Sequence, residues 1–152
     1  MSADTVALVP MTSAHVDALM RYEKDMFGSE AWTRAGYRAE LKDTRNRFYV
    51  AAEDENGALL GWAGVLIAGD QAEILTVGVV PQSRRRGIGA RLLDALVEHA
   101  RDRGVRDVFL EVRVDNDAAQ RLYERDGFTV LGRRRGYYDN GRLDAVVMRR
   151  EL

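Results

Sequence analysis

One helical segment near the middle of the chain constrains the fold more than any other feature. Its apolar residues recur at intervals of three and four, and Gly104 ends the pattern. A strand-like run from Ala72 to Val80 precedes this helix, and a second run from Val105 to Val114 follows it. A strand–helix–strand unit of this kind predicts a crossover connection within one sheet. The apolar positions of the helix are Ile88, Leu92, Leu93, Leu96, Val97 and Ala100.

The rest of the chain predicts hairpins and further helices around this crossover. Asn56-Gly57 is typical of a tight hairpin turn, and Thr12 and Asp115 or Asn116 are candidate helix caps. The order β-α-α-β-β-β-α-β-α-β-β favours one mixed sheet covered by helices. The other predicted strands are Thr5 to Val9, Phe48 to Glu53, Leu59 to Ala68, Phe128 to Arg135 and Arg142 to Arg150; the other predicted helices are one after Thr12, one from Thr33 to Lys42 and one ending near Asp126.

Length and composition exclude several classes of protein. The chain has 152 residues, so we expect a single domain over residues 1–152. Cysteine is absent, which excludes disulfides, thiolate metal sites and cysteine nucleophiles. The formal net charge is −1, which disfavours a general nucleic-acid coat or a membrane-surface protein. No signal-like N-terminal segment or membrane-length apolar run is present in the sequence, so we expect a cytoplasmic protein.

The segment between strand and crossover helix is rich in arginine and glycine. The glycines Gly87 and Gly89 allow backbone N–H groups to face a ligand, and the helix start adds unpaired donors and a partial positive charge. Such a helix end can bind a diphosphate. A P-loop is excluded because no Gly-Lys-Ser/Thr is present, and the third glycine of a dinucleotide fingerprint is missing. On spacing alone, a solvated arginine cluster beside a glycine loop explains the segment equally well.

Three polar residues follow in the next strand and helix. Glu111 lies in an apolar strand, where an ionised carboxylate needs water, a partner or a ligand; a solvent-facing alternate position is the other interpretation. Asn116 is most simply a helix cap. Tyr123 follows Leu122 on an amphipathic helix, where a tyrosine is usually a core residue with a tethered hydroxyl group.

Three motifs occur in order along the chain. They are Val79-x-Pro81-x-x-Arg84-x-x-Gly87-x-Gly89, Leu110-Glu111-Val112-Arg113-x-x-Asn116-x-x-Ala119-x-x-Leu122-Tyr123-x-x-x-Gly127-Phe128 and Arg134-Arg135-x-Tyr137-Tyr138-x5-Asp144-Ala145-x-x-Met148. The first two resemble the GNAT acetyltransferases, although Arg84 and Ser83 depart from the common glutamine and aromatic residue. With the third, the chain is similar to the RimI family, whose members acetylate the N-terminal alanine of a ribosomal small-subunit protein. Trp32-Thr33 resembles the Trp-Ser element of that family.

The resemblance implies a fold, a cosubstrate and residue roles. It implies the GNAT fold, a single mixed, mostly antiparallel twisted sheet of about seven strands with about four helices. It also implies acetyl-CoA as cosubstrate, no metal, Glu111 as general base and Tyr123 as general acid. Trp32, Tyr137 and Tyr138 are the implied acceptor-binding residues. The residues implied to bind acetyl-CoA are Val77, Gly78, Val79, Arg84, Arg85, Arg86, Gly87, Ile88, Gly89, Ala90 and Asn116.

The chemistry of the acceptor amine agrees with a single carboxylate base. An α-amine with a pKa of about 7.7–8.0 costs about 1–1.4 kcal/mol to deprotonate at pH 7, whereas a lysine with a pKa of about 10.4 costs about 4.6 kcal/mol. We therefore expect a protein N-terminus as substrate, with a ribosomal protein as the partner, and no dedicated nucleic-acid binding. The histidines, His15 and His99, are interpreted as ordinary helix residues because neither has a second ligand at metal spacing.

Three alternatives remain open at this point. The enzyme could instead acetylate a small-molecule amine, such as an antibiotic, a polyamine or an amino acid. The chain could also be a non-catalytic acyl-CoA-binding module, although it retains both Glu111 and Tyr123. Arg133, Arg134 and Arg135 could attach to RNA alongside catalysis, but a solvated strand edge is the simpler interpretation.

Overall fold

One seven-stranded sheet forms the centre of the protein. The computed structural model describes residues 5–152, so residues 1–4 of the predicted domain lie outside the described part. The strand order is β1-β2-β3-β4-β5-β7-β6, and every neighbouring pair is antiparallel except β4 and β5. The predicted mixed sheet is confirmed. The strands are β1 Ala7–Pro10, β2 Arg47–Glu53, β3 Leu59–Ala68, β4 Gln71–Val79, β5 Asp107–Arg113, β6 Thr129–Tyr138 and β7 Leu143–Glu151.

Four α-helices within residues 5–152 cover the two faces of the sheet. On one face, Val16 and Leu19 of α1 pack with Tyr37 of α2 against Trp62 of β3. On the other face, the buried stripe of α3 packs on the central strands together with Tyr123 of α4. The helices are α1 Ser13–Phe27, α2 Arg34–Lys42, α3 Ile88–Asp102 and α4 Asp117–Arg125, and short 3-10 turns lie at Gly28–Glu30, Pro81–Ser83 and Asp139–Gly141. Among the described residues, no helix has the length and apolar character needed to cross a membrane.

Element order follows the sequence prediction, but one turn differs from it. The hairpin between β2 and β3 is a longer loop than the tight Asn56-Gly57 turn that the sequence predicts. The Asp54 carboxylate accepts hydrogen bonds from the backbone N–H groups of Asn56 and Ala58, at 2.8 and 2.9 Å. Gly57 has a positive φ of 82°, whereas Asn56 does not. An aspartate that hydrogen-bonds the following backbone therefore shapes this loop. Other differences are shifts of element ends by one to three residues.

The two parallel strands at the centre of the sheet separate along their length. They pair only at Gln71 with Asp107, Ala72 with Val108 and Glu73 with Phe109. Beyond these pairs β4 continues to Val79 and β5 to Arg113 without pairing to each other. The register of β3 with β4 also shifts here, so that Leu75 is an extra, bulged residue. Because a bulge bends its strand, β4 turns away from β5 and a gap opens in the middle of the sheet.

Candidate active site

The start of α3 has the backbone geometry that favours anion binding. Arg85 and Gly87 have positive φ angles of 66° and 74°, and Gly87 is the N-cap of the helix. The first helical hydrogen bond runs from the Arg91 N–H to the Gly87 carbonyl, at 3.1 Å. The N–H groups of residues 88–90 therefore have no acceptor within the helix. Left-handed residues in such a loop direct neighbouring N–H groups towards one concave side, which favours a bound anion.

The side chains around this helix start add positive charge and leave the backbone accessible. Arg84, Arg85 and Arg86 are exposed. Arg84 donates a hydrogen bond from Nε to the Val79 carbonyl at 3.3 Å, which ties the loop to the end of β4. Ile88 is 1% exposed, so its side chain belongs to the core and only its backbone is available to a ligand. The loop therefore fits a diphosphate through backbone donors and flanking guanidinium groups.

Gly89, the second residue of α3, lies close to α4. A Cβ atom at Gly89 would be 3.3 Å from Leu122 Cδ2 and 3.7 Å from Val79 Cγ2. Ala90 follows on the same helical turn and is partly buried. A larger residue at position 89 would push α3 and α4 apart, so glycine keeps the two helices close beside the gap.

The end of β4 forms one side of the gap. Val77, Gly78 and Val79 pair with β3 through their register partners but not with β5. Backbone groups on the β5 side of this segment are therefore available to an extended ligand. Gly78 is required sterically, because a Cβ atom there would lie 2.7 Å from the Trp62 ring. The segment fits the extended arm of an acyl-CoA thioester.

Glu111 lies on the other side of the gap, on the sheet face that carries α1 and α2. It alternates along β5 with the buried residues Leu110 and Val112, which face the opposite helices. Its side chain is 20% exposed, and its Oε1 accepts a hydrogen bond from Arg134 Nη1 at 2.7 Å. Its Oε2 is buried and has no hydrogen-bond partner within residues 5–152. This oxygen is therefore a buried acceptor without a hydrogen-bond donor, and the Tyr137 side chain is its neighbour.

Aromatic residues surround the Glu111 carboxylate. The Arg134 guanidinium lies 4.4 Å from the centre of the Tyr137 ring, and Tyr137 packs edge-on against Tyr138 at 4.9 Å. Burial and the nearby Glu111 charge raise the pKa of Tyr137. The Tyr138 hydroxyl donates a hydrogen bond to the backbone carbonyl of Glu111 at 3.2 Å. The structure therefore brings the predicted residues Tyr137 and Tyr138 together with Glu111.

Tyr123 lies in α4, and Asn116 is the N-cap residue of that helix. Tyr123 is 8% exposed, and its ring lies 6.0 Å from that of Phe128. Burial raises the pKa of Tyr123 to about 12, so the hydroxyl group is protonated at neutral pH. Asn116 caps α4 by accepting a hydrogen bond from the Ala119 N–H at 3.1 Å, as the cap interpretation predicts. Its amide NH₂ group is not used by this cap and can donate to a ligand.

Trp32 lies in the segment between α1 and α2. Its ring packs against Tyr37 at 4.8 Å, and its backbone N–H donates to the buried carboxylate of Glu23 at 2.9 Å. Nearby Glu30 accepts a hydrogen bond from the Asp139 N–H at 2.7 Å and pairs with Arg113 at 3.3 Å. Glu30 therefore joins the Trp32 segment to the turn that follows Tyr137 and Tyr138.

Four charged residues of this region were not among the predicted site residues: Glu23, Glu30, Glu73 and Arg134. Glu23 had a sequence signal, since it lies four residues after Leu19 on the apolar side of α1 and is 1% exposed. Arg134 belonged to the arginine run interpreted as a solvated strand edge. It is exposed on the edge strand β6, as that interpretation predicts, and it also pairs with Glu111, which the sequence did not indicate. Glu73 lies between the buried residues Ala72 and Ile74, a pattern that places it on the face of Glu111.

The histidines have structural contacts, as their interpretation as ordinary helix residues predicts. His15 Nε2 lies 2.5 Å from Glu53 Oε2, and His99 stacks on Phe48 at 4.1 Å. No group of histidine, aspartate and glutamate side chains within residues 5–152 is arranged to hold a metal ion.

Comparisons with known proteins agree with this architecture. The model of the acetyltransferase (GNAT) family matches residues 16–128. The N-alpha-acetyltransferase RimI of Mycobacterium tuberculosis (strain ATCC 25618 / H37Rv) is 41% identical over 158 residues, covering 99% of this chain and 97% of that protein. The ribosomal protein bS18-alanine N-acetyltransferase of Escherichia coli (strain K12) is 38% identical over 96 residues, covering 62% of this chain and 65% of that protein.

A solved structure shows the same arrangement. The crystal structure of the ribosomal-protein-S18-alanine N-acetyltransferase from Escherichia coli aligns with a TM-score of 0.84 and 27% identity, covering 97% of this chain and 94% of that one. The fold and the resemblance to RimI that the sequence predicts are confirmed. The chain belongs to the GNAT acetyltransferase family as a RimI-like member and is an acetyl-CoA-dependent N-acetyltransferase.

Proposed function

We propose that this enzyme acetylates the N-terminal α-amine of a protein, and that its acceptor is the N-terminal alanine of the ribosomal small-subunit protein bS18. The observation that carries the proposal is Glu111, a partly exposed carboxylate beside the β4–β5 gap with one oxygen that accepts no hydrogen bond within residues 5–152. The relative from Escherichia coli that is named for this reaction supports the choice of acceptor. The proposed acceptor is a component of the ribosome, so we expect the reaction in the cytoplasm.

In this proposal Glu111 and Tyr123 handle the protons of the reaction. Glu111 removes a proton from the acceptor ammonium, directly or through a water molecule, and the neutral amine attacks the thioester carbonyl. The C–N bond forms, the C–S bond breaks, and Tyr123 donates its proton to the leaving sulfur. The ammonium loses two protons in all: one leaves through Glu111, and the other restores the Tyr123 hydroxyl. The products are the N-acetylated chain, CoA and one proton.

The cosubstrate-binding roles follow the geometry of the gap. The N–H groups of residues 85–90 and the guanidinium groups of Arg84, Arg85 and Arg86 would bind the diphosphate of CoA. The backbone of residues 77–79 would bind the pantetheine arm, and the Asn116 amide would donate to the same ligand. Trp32, Tyr137 and Tyr138 would form walls of the acceptor site.

A small-molecule amine remains the second candidate acceptor. Arg134 lies directly beside Glu111, and its positive charge would repel a polycation such as a polyamine. This contact favours an acceptor that brings a single ammonium group.

The choice of acceptor can be tested with a panel of short peptides. We expect peptides with a free N-terminal alanine to have a kcat/KM at pH 7 at least about a hundredfold above N-terminally blocked peptides with one lysine, since far less lysine is neutral at that pH. Thiol release from acetyl-CoA measures the rate, and mass spectrometry locates the acetyl group. Faster turnover of spermidine or an aminoglycoside than of every peptide would contradict the proposal.

Replacing Gly87 tests the anion-binding loop. We expect Gly87→Leu to weaken CoA binding about ten- to a hundredfold, because a side chain and an altered φ would misplace N–H groups that bind the charged diphosphate. Isothermal titration calorimetry with CoA measures the affinity.

Gly104→Leu is the matched control for this variant. Gly104 follows the other end of α3 and has a φ of 80°, and a Cβ atom at either Gly104 or Gly87 would have no neighbouring atom within 4 Å. Both variants carry a similar backbone cost of roughly 1–2 kcal/mol, so thermal unfolding should change alike in the two. Equal CoA affinity in the two variants would show that the loop before α3 does not bind the diphosphate.

A further inference from the structure

We propose that Glu73 is a second acceptor-binding carboxylate, which binds the ammonium form of the α-amine beside Glu111 before that amine is deprotonated. The inference rests on the proposed function, because it assigns a residue to the binding of that acceptor. Glu73 is therefore a specificity-determining residue and takes no proton in the reaction.

The sheet places Glu73 and Glu111 in one cavity. Glu73 faces Phe109 in the last pair before β4 and β5 separate, and Glu111 lies two residues further along β5 on the same face. Both carboxylates line an open cavity of about 350 Å³, near the lower end of the volumes of small-ligand sites. The rest of its wall is mostly apolar, with Gln71 as the further polar residue; the apolar residues are Leu66, Ala68, Ala72, Phe109 and Val147.

The charged side chains around this cavity carry one more negative charge than positive charge. Arg134 is the cation paired with Glu111, and it contacts Oε1. The second oxygen of Glu111 is buried without a hydrogen-bond partner, and within residues 5–152 no cationic side chain lies within 4.0 Å of the Glu73 carboxylate. Two carboxylates and one guanidinium leave a net charge of −1. A single ammonium group neutralises this charge and supplies the missing donor.

The two carboxylates also influence each other. Partial burial raises the pKa of Glu73, and the Glu111 charge raises it further, whereas Arg134 lowers it. The Glu111 carboxylate is therefore close enough to repel Glu73. A cation bound between them removes this repulsion, whereas a neutral group does not.

The cavity also predicts a preference for an uncharged first residue. The ammonium group would lie at the carboxylates, and the side chain of the first residue would face the apolar wall. A further positive charge on the acceptor would meet this wall without a partner, which disfavours it.

The test compares a charged acceptor with a neutral analogue. We expect Glu73→Gln to raise the KM for an alanine-terminated peptide about two- to fivefold, with kcat nearly unchanged, as for the loss of an exposed charged contact. The neutral analogue is the same peptide with a hydroxyl group in place of its α-amine, used as a competitive inhibitor. Its inhibition constant should be the same for the wild type and for Glu73→Gln.

Two variants control for shape and for net charge. Glu73→Asp keeps the charge and should recover part of the lost affinity. Glu55→Gln makes the same change of charge at an exposed position in the β2–β3 loop and should leave KM unchanged.

Three outcomes would overturn the inference. An unchanged KM in Glu73→Gln would remove Glu73 from the site while the proposed function stands. An equal loss of affinity for the peptide and its hydroxyl analogue would show that Glu73 shapes the cavity and does not recognise charge. A wild-type enzyme that acetylates no α-amine would overturn the proposed function together with the inference, so the failures are distinguishable.

Discussion

Replacing Glu111 by glutamine is expected to lower kcat for α-amine acetylation by about 10²–10⁴, the usual contribution of a positioned base. Glutamine has nearly the same shape as glutamate and can still accept a hydrogen bond from Arg134, which pairs with Glu111 at 2.7 Å. The variant therefore removes basicity with little change in packing. The rate should be measured with saturating acetyl-CoA and peptide, and in a single turnover to isolate the chemical step.

The pH dependence gives this prediction a second readout. An α-amine with a pKa of about 7.7–8.0 is mostly protonated at pH 7 and mostly neutral at pH 9. The loss of kcat in Glu111→Gln should therefore become smaller as the pH rises, because a larger fraction of the amine is already neutral. A single-turnover rate within a few-fold of the wild type at pH 7 would show that Glu111 is not the base.

The second large effect is expected from Tyr123→Phe, which should also lower kcat by about 10²–10⁴ by removing the proton donor to the leaving sulfur. The change deletes one oxygen and keeps the ring that packs against Phe128. Because burial raises the pKa of Tyr123 to about 12, the hydroxyl group remains protonated up to about pH 11. The loss should therefore be nearly constant from pH 6 to pH 9, unlike that of Glu111→Gln.

Tyr49→Phe is the matched control for the loss of a tyrosine hydroxyl. Tyr49 is 5% exposed, and its hydroxyl donates to Glu40 at 2.6 Å, away from the gap. We expect this variant to lower the thermal stability and to leave kcat nearly unchanged. If Tyr123→Phe resembled Tyr49→Phe in both measurements, the general-acid role would be wrong.

The sequence predicts the element order well, because hydrophobic periodicity is a local property. The crossover helix is recognised from six apolar positions, and all six are buried in α3. The gap between β4 and β5 has no such signal. The residues of β4 read as one continuous strand through the bulge at Leu75, which is marked by neither glycine nor proline. The separation of β4 from β5 depends on pairing between distant segments of the chain. It is therefore visible only in the structure.

Some residues of the candidate site are predictable from local sequence, and others are not. The glycine positions and Glu111 are identified from motifs within short segments. The contact of Arg134 with Glu111 depends on the order β5-β7-β6, in which a third strand lies between the two residues. The same dependence applies to Glu73, whose position beside Glu111 follows from a parallel pairing of only three residue pairs. A single sequence does not specify such registers.

The short seam between β4 and β5 has a consequence for stability. Among the described residues, strands β1 to β4 and strands β5 to β7 hydrogen-bond to each other as a sheet only along this seam. An extended thioester bound in the gap would hydrogen-bond to β4 where a neighbouring strand would otherwise pair. Bound cosubstrate should therefore stabilise the fold, and release of CoA should remove that stabilisation.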